Sequence, residues 1–120
     1  MAKKKNQIQW LPKVEDHDYP AATSYLSLLY PPAQVTRLIA QLRKAPVKQF
    51  KAKDLFRASQ LSLLGVSNSH VDSDRAKIKA GAALCPLLLV RDSAHGRVVI
   101  ADGYHRLCAV YQVEEACGRD

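Results

Sequence analysis

Residues 86–109 read P-L-L-L-V-R-D-S-A-H-G-R-V-V-I-A-D-G-Y-H-R-L-C-A, and their order decides the fold. The run P-L-L-L-V at 86–90 is apolar and short, as a buried strand is. D-S-A-H-G at 92–96 is a five-residue loop holding a glycine, suited to a hairpin. R-V-V-I-A at 97–101 is rich in β-branched residues and reads as the return strand. Asp102 and Gly103 then turn the chain into a helix, where Tyr104, Leu107, Cys108 and Tyr111 repeat at i, i+3, i+4 and i+7.

The strand-to-helix turn is also where the chemistry gathers. A helix start leaves backbone N–H groups of Gly103, Tyr104 and His105 without partners inside the helix. Those groups and the helix dipole favour an anion. His105 and Arg106 sit in the same first turn, where a cation opposes the dipole at a cost of roughly 0.3–1 kcal/mol. A bound phosphate turns that misfit into attraction, with Arg106 gripping its oxygens bidentately and His105 donating a further hydrogen bond. The plainer alternative makes Asp102 a helix cap, Arg106 its ion-pair partner or that of another carboxylate, and His105 a solvated histidine.

Upstream, Ser69 followed by Asp72 fits a capping box, which starts a helix over about 70–82 that ends near Gly81. The stretch G-V-S-N-S at 65–69 is loop chemistry. Arg75 and Lys79, four apart, share one face of that helix, as a solvated face or as a supplement to a phosphate site. His70 with Asp72 and Asp74 could hold a divalent ion, and the helix dipole explains the acids equally well. V-K-Q-F-K-A at 47–52 is taken as a half-buried strand, and 54–59 as a short helix with Leu55 and Phe56 turned inward. Residues 21–30 and 32–44 carry helical apolar spacing on either side of Pro31-Pro32. They make a helical hairpin over 20–45. Residues 1–18 read as a basic tail and lead-in, and Glu15, Asp16 and Asp18 as a solvated acidic cluster. His95 reads as a solvated loop residue.

The 120 residues amount to one domain, 19–120, and 48% apolar residues argue against disorder. No apolar run approaches the ~20 residues of a membrane span, so no membrane partner is expected. The start M-A-K-K-K-N-Q lacks the apolar stretch of a signal peptide, so the expected location is the cytoplasm. Cys85, Cys108 and Cys117 form no C-x-x-C pair, which points to reduced thiols and away from a cysteine zinc site. Eighteen Lys and Arg against 11 Asp and Glu give a net charge of +7, which permits weak nucleic-acid binding without establishing it.

The run P-L-L-L-V…R-V-V-I-A-D-G-Y-H-R-L-C-A resembles the core of the ParB/sulfiredoxin-like superfamily. Its members show a short hairpin and then I-x-D-G-x-H-R leading into a helix. The resemblance covers about residues 47–113, with the strand expected at 47–52 and the K-D-L element at 53–55 similar to the family's opening strand. It implies an α+β domain: a small mixed sheet with flanking helices, here with an added N-terminal helical hairpin. Sulfiredoxins read G-C-H-R at this motif, and their nucleophilic cysteine is replaced here by Tyr104, so sulfiredoxin activity is not expected. ParB partition proteins read G-E-R-R, bind cytidine triphosphate and carry a helix-turn-helix domain, for which residues up to Asp120 leave no room. Free-serine kinases, with D-G-H-H-R, hold a nucleotide phosphate at the same helix start and use a separate carboxylate base that has no match here.

The resemblance therefore implies a phosphate or nucleotide site built from Asp102, Gly103, Tyr104, His105 and Arg106. Asn68, Ser69 and His70 stand where the family often adds contacts, and Arg75 and Lys79 on the helix that follows are counted with them as candidates. A nucleoside triphosphate with Mg2+ would be the cofactor, and phosphoryl transfer or phosphodiester hydrolysis the reaction if there is one. The other readings are a ParB-like module that binds nucleic-acid backbone without sequence specificity, and a non-catalytic protein-interaction module. The polar stretch 114–120 is short for the family's closing strand, which leaves an edge that a second copy, in a homodimer, could cover.

Overall fold

The computed structural model of the protein describes residues 8–62 and 68–116. Among the described residues, five α-helices and one β-hairpin make an α+β domain. They are α1 (Asp18–Leu26), α2 (Pro32–Lys44), α3 (Ala52–Ser59), α4 (Ser69–Lys79), β1 (Leu88–Asp92), β2 (Arg97–Asp102) and α5 (Tyr104–Ala116). Lys3, Lys4, Lys5, loop residues 65–67 and Cys117 lie outside the described residues.

The hairpin is the partition of the molecule. Strands β1 and β2 run antiparallel, with Leu89 opposite Ile100 and Val90 opposite Val99, and the register shifts between Leu88 and Leu89. Side chains alternate across a strand. Leu88, Val90, Val99 and Ala101 therefore face Tyr19, Ala22, Leu26 and Val35 of α1 and α2 in one core. Ile100 faces the other way, into a core with Ala52, Leu84, Leu107 and Val110. A third cluster, Val71 with Cys108 and Ala109, fastens α4 to the far side of α5. Helix α5 is thus buried on two sides, between the hairpin and α4. Cys108 and Ala109 are small enough to let α4 approach. At roughly 1.5–3 kcal/mol per fully buried Val or Leu, the wholly buried Leu26 and Val71 are worth several kcal/mol to these contacts.

Several expectations are corrected. Residues 47–52 form no strand: 45–51 have no regular structure, and α3 begins at Ala52. Val47 and Phe50 stand three apart, so a strand would point them to opposite faces, and both are exposed. The sheet is not mixed. Among the described residues its strands are antiparallel only, and parallel pairing is confined to the single bridge Trp10–Leu84. That bridge ties part of the expected lead-in to the domain, through Leu11 N–H to Leu84 O (2.8 Å) and Leu84 N–H to Gln9 O (2.9 Å). Ser69 is not the cap of α4. Asn68 is, its side chain accepting from the N–H groups of His70 and Val71. The first helix starts at Asp18 and closes at Leu26, earlier than expected. Helix α5 occupies the stretch up to residue 116.

Candidate functional site

Strand β2 ends at Asp102, and Gly103 turns the chain with φ of +105°, a conformation side chains rarely adopt. The Leu107 N–H then donates to Gly103 O at 2.9 Å and opens α5. Arg106 lies one turn in and folds back over this glycine. A Cβ at position 103 would stand 2.8 Å from both Arg106 Nη2 and the Leu87 side chain. The missing side chain of Gly103 is therefore required by the protein's own arginine.

Arg106 spends its fork on carboxylates. Its Nη2 donates to Asp102 Oδ2 at 2.8 Å, and its Nη1 to Asp18 Oδ2 at 3.3 Å. The same Asp18 oxygen accepts the Cys85 thiol at 2.8 Å, while the Glu15 N–H donates to Cys85 Sγ at 3.3 Å. Asp18, Cys85 and Arg106 are all largely out of water; the arginine side chain is 16% exposed. Burial disfavours the guanidinium's charge, but Asp102 and Asp18 outweigh it and raise the Arg106 pKa further. Burial raises the Asp102 pKa, and the neighbouring Asp18 charge adds to this against the pull of Arg106. Burial and the bond to Asp18 push the Cys85 thiol up to about 11, which keeps it protonated and poorly nucleophilic at neutral pH. The buried Arg106 Nε has no hydrogen-bond partner.

The other side of the same turn is open. His105, second residue of α5, meets His70, second residue of α4, with ring centroids 4.9 Å apart and planes tilted by 37°. The N-termini of the two helices therefore converge. Tyr104 is half-buried and packs edge-on against Phe56, at 6.3 Å between centroids. Burial, then Cys108 nearby, raises its pKa. Asn68 is committed to capping α4, and exposed Ser69 begins that helix.

The anticipated residues thus divide. Asp102, Gly103 and Arg106 form a buried group behind the turn, and Asn68, His70, Tyr104 and His105 surround its open side. Arg75 is held by Asp72 at 3.3 Å. Lys79 stands nine residues beyond His70, roughly 13 Å along the helix, and is not brought to the turn. Asp18 and Cys85 are the residues that sequence reasoning missed. Asp18 reads as a solvated acid in the sequence, yet it is 6% exposed. Nothing in the run E-D-H-D distinguishes the one acid that α1 turns inward. His95, expected to be solvated, is exposed but bonded through Nδ1 to Asp92 at 3.0 Å. Among the described residues no three or more His, Cys, Asp or Glu side chains gather as a metal site would need.

In comparisons with known proteins, no family model, no curated protein and no solved structure matches this chain. No described helix is long and apolar enough to cross a membrane.

Proposed function

We propose that this protein binds a phosphorylated ligand, a nucleotide foremost, where the N-termini of α4 and α5 converge. The observation that carries the reading is the pairing of His70 with His105. The start of α5 carries the positive end of a helix dipole and backbone N–H groups that suit phosphate oxygens, and the start of α4, whose His70 and Val71 N–H groups are taken by Asn68, adds its dipole beside it. The two imidazoles add N–H donors at the same spot. Arg106 serves from behind: engaged by Asp18 and Asp102, it anchors the turn that presents those groups. Magnesium would ride on the phosphates of a triphosphate. The strand–hairpin–helix order and the D-G-Y-H-R motif support kinship with the ParB/sulfiredoxin-like superfamily, and so the choice of a nucleotide. The proposal is one of binding; the protonated Cys85 thiol offers no ready nucleophile.

The test is a thermal-shift titration of the full chain with adenosine, cytidine and guanosine di- and triphosphates and with inorganic phosphate, each with and without magnesium. A ligand at 100 times its Kd adds about 2.7 kcal/mol, or roughly 10 °C in Tm for a domain of this size. The shift should vanish in the double variant His70→Gln, His105→Gln. No shift with any of these ligands, or an equal shift in the double variant, overturns the proposal.

A further inference from the structure

We infer that the basic segment 43–53, with the cleft at its root, is a docking surface for single-stranded nucleic acid, separate from the phosphate site. The segment reads R-K-A-P-V-K-Q-F-K-A-K, five cations without a carboxylate. Residues 45–51 form no regular structure, and Arg43, Lys44, Lys48, Lys51 and Lys53 are all exposed. Val47 and Phe50 stand out between the lysines at 56% and 57% exposure, although apolar side chains of this size are usually withdrawn from water.

The cleft beside it has a volume of about 240 Å³ and is lined by Val14, Tyr19, Leu42 and Val47, with Lys13 and Arg43 as cations and Asp16 as a carboxylate. Cofactor-sized ligands fill roughly 300–1,000 Å³, so the cleft suits one ring rather than a whole dinucleotide. Arg43 sits over an aromatic ring here: its guanidinium carbon lies 4.2 Å from the centroid of the buried Tyr19 ring, while the residue itself is exposed. A guanidinium is a stacking platform for a base, and the exposed ring of Phe50 is a second one. Lys44, Lys48, Lys51 and Lys53, in the same segment as the two platforms, supply cations for the phosphates that link successive bases.

The occupant follows from this combination. A duplex keeps its bases stacked and has no use for the cleft or for Phe50. A membrane surface needs a continuous apolar face, and two side chains set among lysines do not make one.

Fluorescence anisotropy of labelled fifteen-nucleotide oligo(dT), oligo(U) and a mixed-sequence duplex with the full chain tests the inference. The single strands should bind more tightly than the duplex, whichever sugar is preferred. Phe50→Ala should weaken binding by roughly 5- to 150-fold, the range of one missing base stack, with the salt slope unchanged. Lys48→Ala with Lys51→Ala should flatten the slope of log K against log salt by about 1.4, or ~0.7 for each phosphate left without its lysine. Both variants change exposed side chains, and an unchanged far-UV circular dichroism spectrum checks that they fold. Lys77→Ala, a single lysine removed from α4, should change the slope by less than half as much as the double variant. The inference fails if single strands do not bind at 50 mM salt, or if the duplex binds equally well. It also fails if Phe50→Ala is silent, if Lys77→Ala acts as strongly per charge as the segment lysines, or if vesicles carrying anionic lipid bind more tightly than the oligonucleotides.

Discussion

His105 and Arg106 are neighbours in sequence and serve opposite sides of one helical turn. Arg106 points back into the molecule, where Asp102, Asp18 and Cys85 surround its guanidinium. His105 points forward to His70 at the mouth of two helices. Successive residues on a helix are about 100° apart, so a motif written as one string must divide between interior and surface. A cation at a helix start is unfavourable against the dipole. Two carboxylates outweigh that penalty for Arg106 and engage both ends of its fork. The string D-G-Y-H-R thus encodes a structural anchor and an exposed platform together, and the two can be broken separately.

The anchor should break hardest. Arg106→Ala takes the guanidinium from two carboxylates largely withdrawn from water, leaving Asp102 without its cation and Asp18 with only the Cys85 thiol and His17 Nε2. Losing one partner of a buried pair costs about 3–5 kcal/mol. Thermal denaturation should show a Tm lower by more than about 10 °C at neutral pH, partly regained on acidification as the stranded carboxylates take up protons. A variant with parental Tm would show that the pairing contributes nothing. This is also why Arg106 is a poor probe of ligand binding. Gly103→Ala comes next: its Cβ would meet Arg106 and Leu87 at 2.8 Å in a backbone conformation of φ +105°. The expected loss is about 1–3 kcal/mol, read by chemical denaturation.

Much of this fold is legible in the chain because its signals are local. The hairpin and α5 follow from β-branched runs, a loop glycine and an apolar stripe, and α2 from proline at its start and regular spacing. The parts that are not legible depend on distant partners. Residues 47–52 resemble a strand because apolar and polar residues mix there, but a strand exists only where another strand pairs with it. Asp18 resembles a solvated acid because its neighbours are solvated; it is buried because Cys85 and Arg106, 67 and 88 residues away, offer it donors. The capping of α4 passes from Ser69 to Asn68, one residue earlier, because both side chains can cap and the local pattern does not choose. For the candidate site, the motif marks the turn but does not say which way each of its side chains points.

The anchor also carries a pH signature. Cys85 ionises near 11 in the folded protein against an ordinary 9.0, so between these values the folded state holds a proton that the unfolded chain has released. Stability should therefore fall as pH rises through that window, and Cys85→Ala should remove this part of the fall in denaturation curves taken from pH 8 to 11. At the acid end two aspartates oppose each other. Asp102 is raised by burial, so its contribution falls as pH rises above 3.8. For Asp92, burial raises the pKa, but hydrogen bonds from Tyr30 and His95 outweigh it and hold the pKa below 3.8. The stability Asp92 supplies is present above that value and is lost as pH falls through its lowered pKa. Asp92→Asn should flatten the acid loss of stability and Asp102→Asn should steepen it. The same sign for both would contradict the separate environments assigned to them.

The smallest expected effect says most about the divided turn. His70→Gln and His105→Gln touch the open side only, where His70 is exposed and His105 half-buried, and both rings lie outside the Asp18–Arg106–Asp102 group. Substitutions away from buried networks stay within about 0.5 kcal/mol, so the double variant should unfold at nearly the parental Tm when no ligand is present. If it loses several kcal/mol instead, the histidine pair is a structural contact between α4 and α5, and the open side is a second anchor. If it keeps its stability and loses the phosphate-dependent shift, the two sides of the turn have separate duties: one half of the motif holds the fold and the other half presents the ligand site.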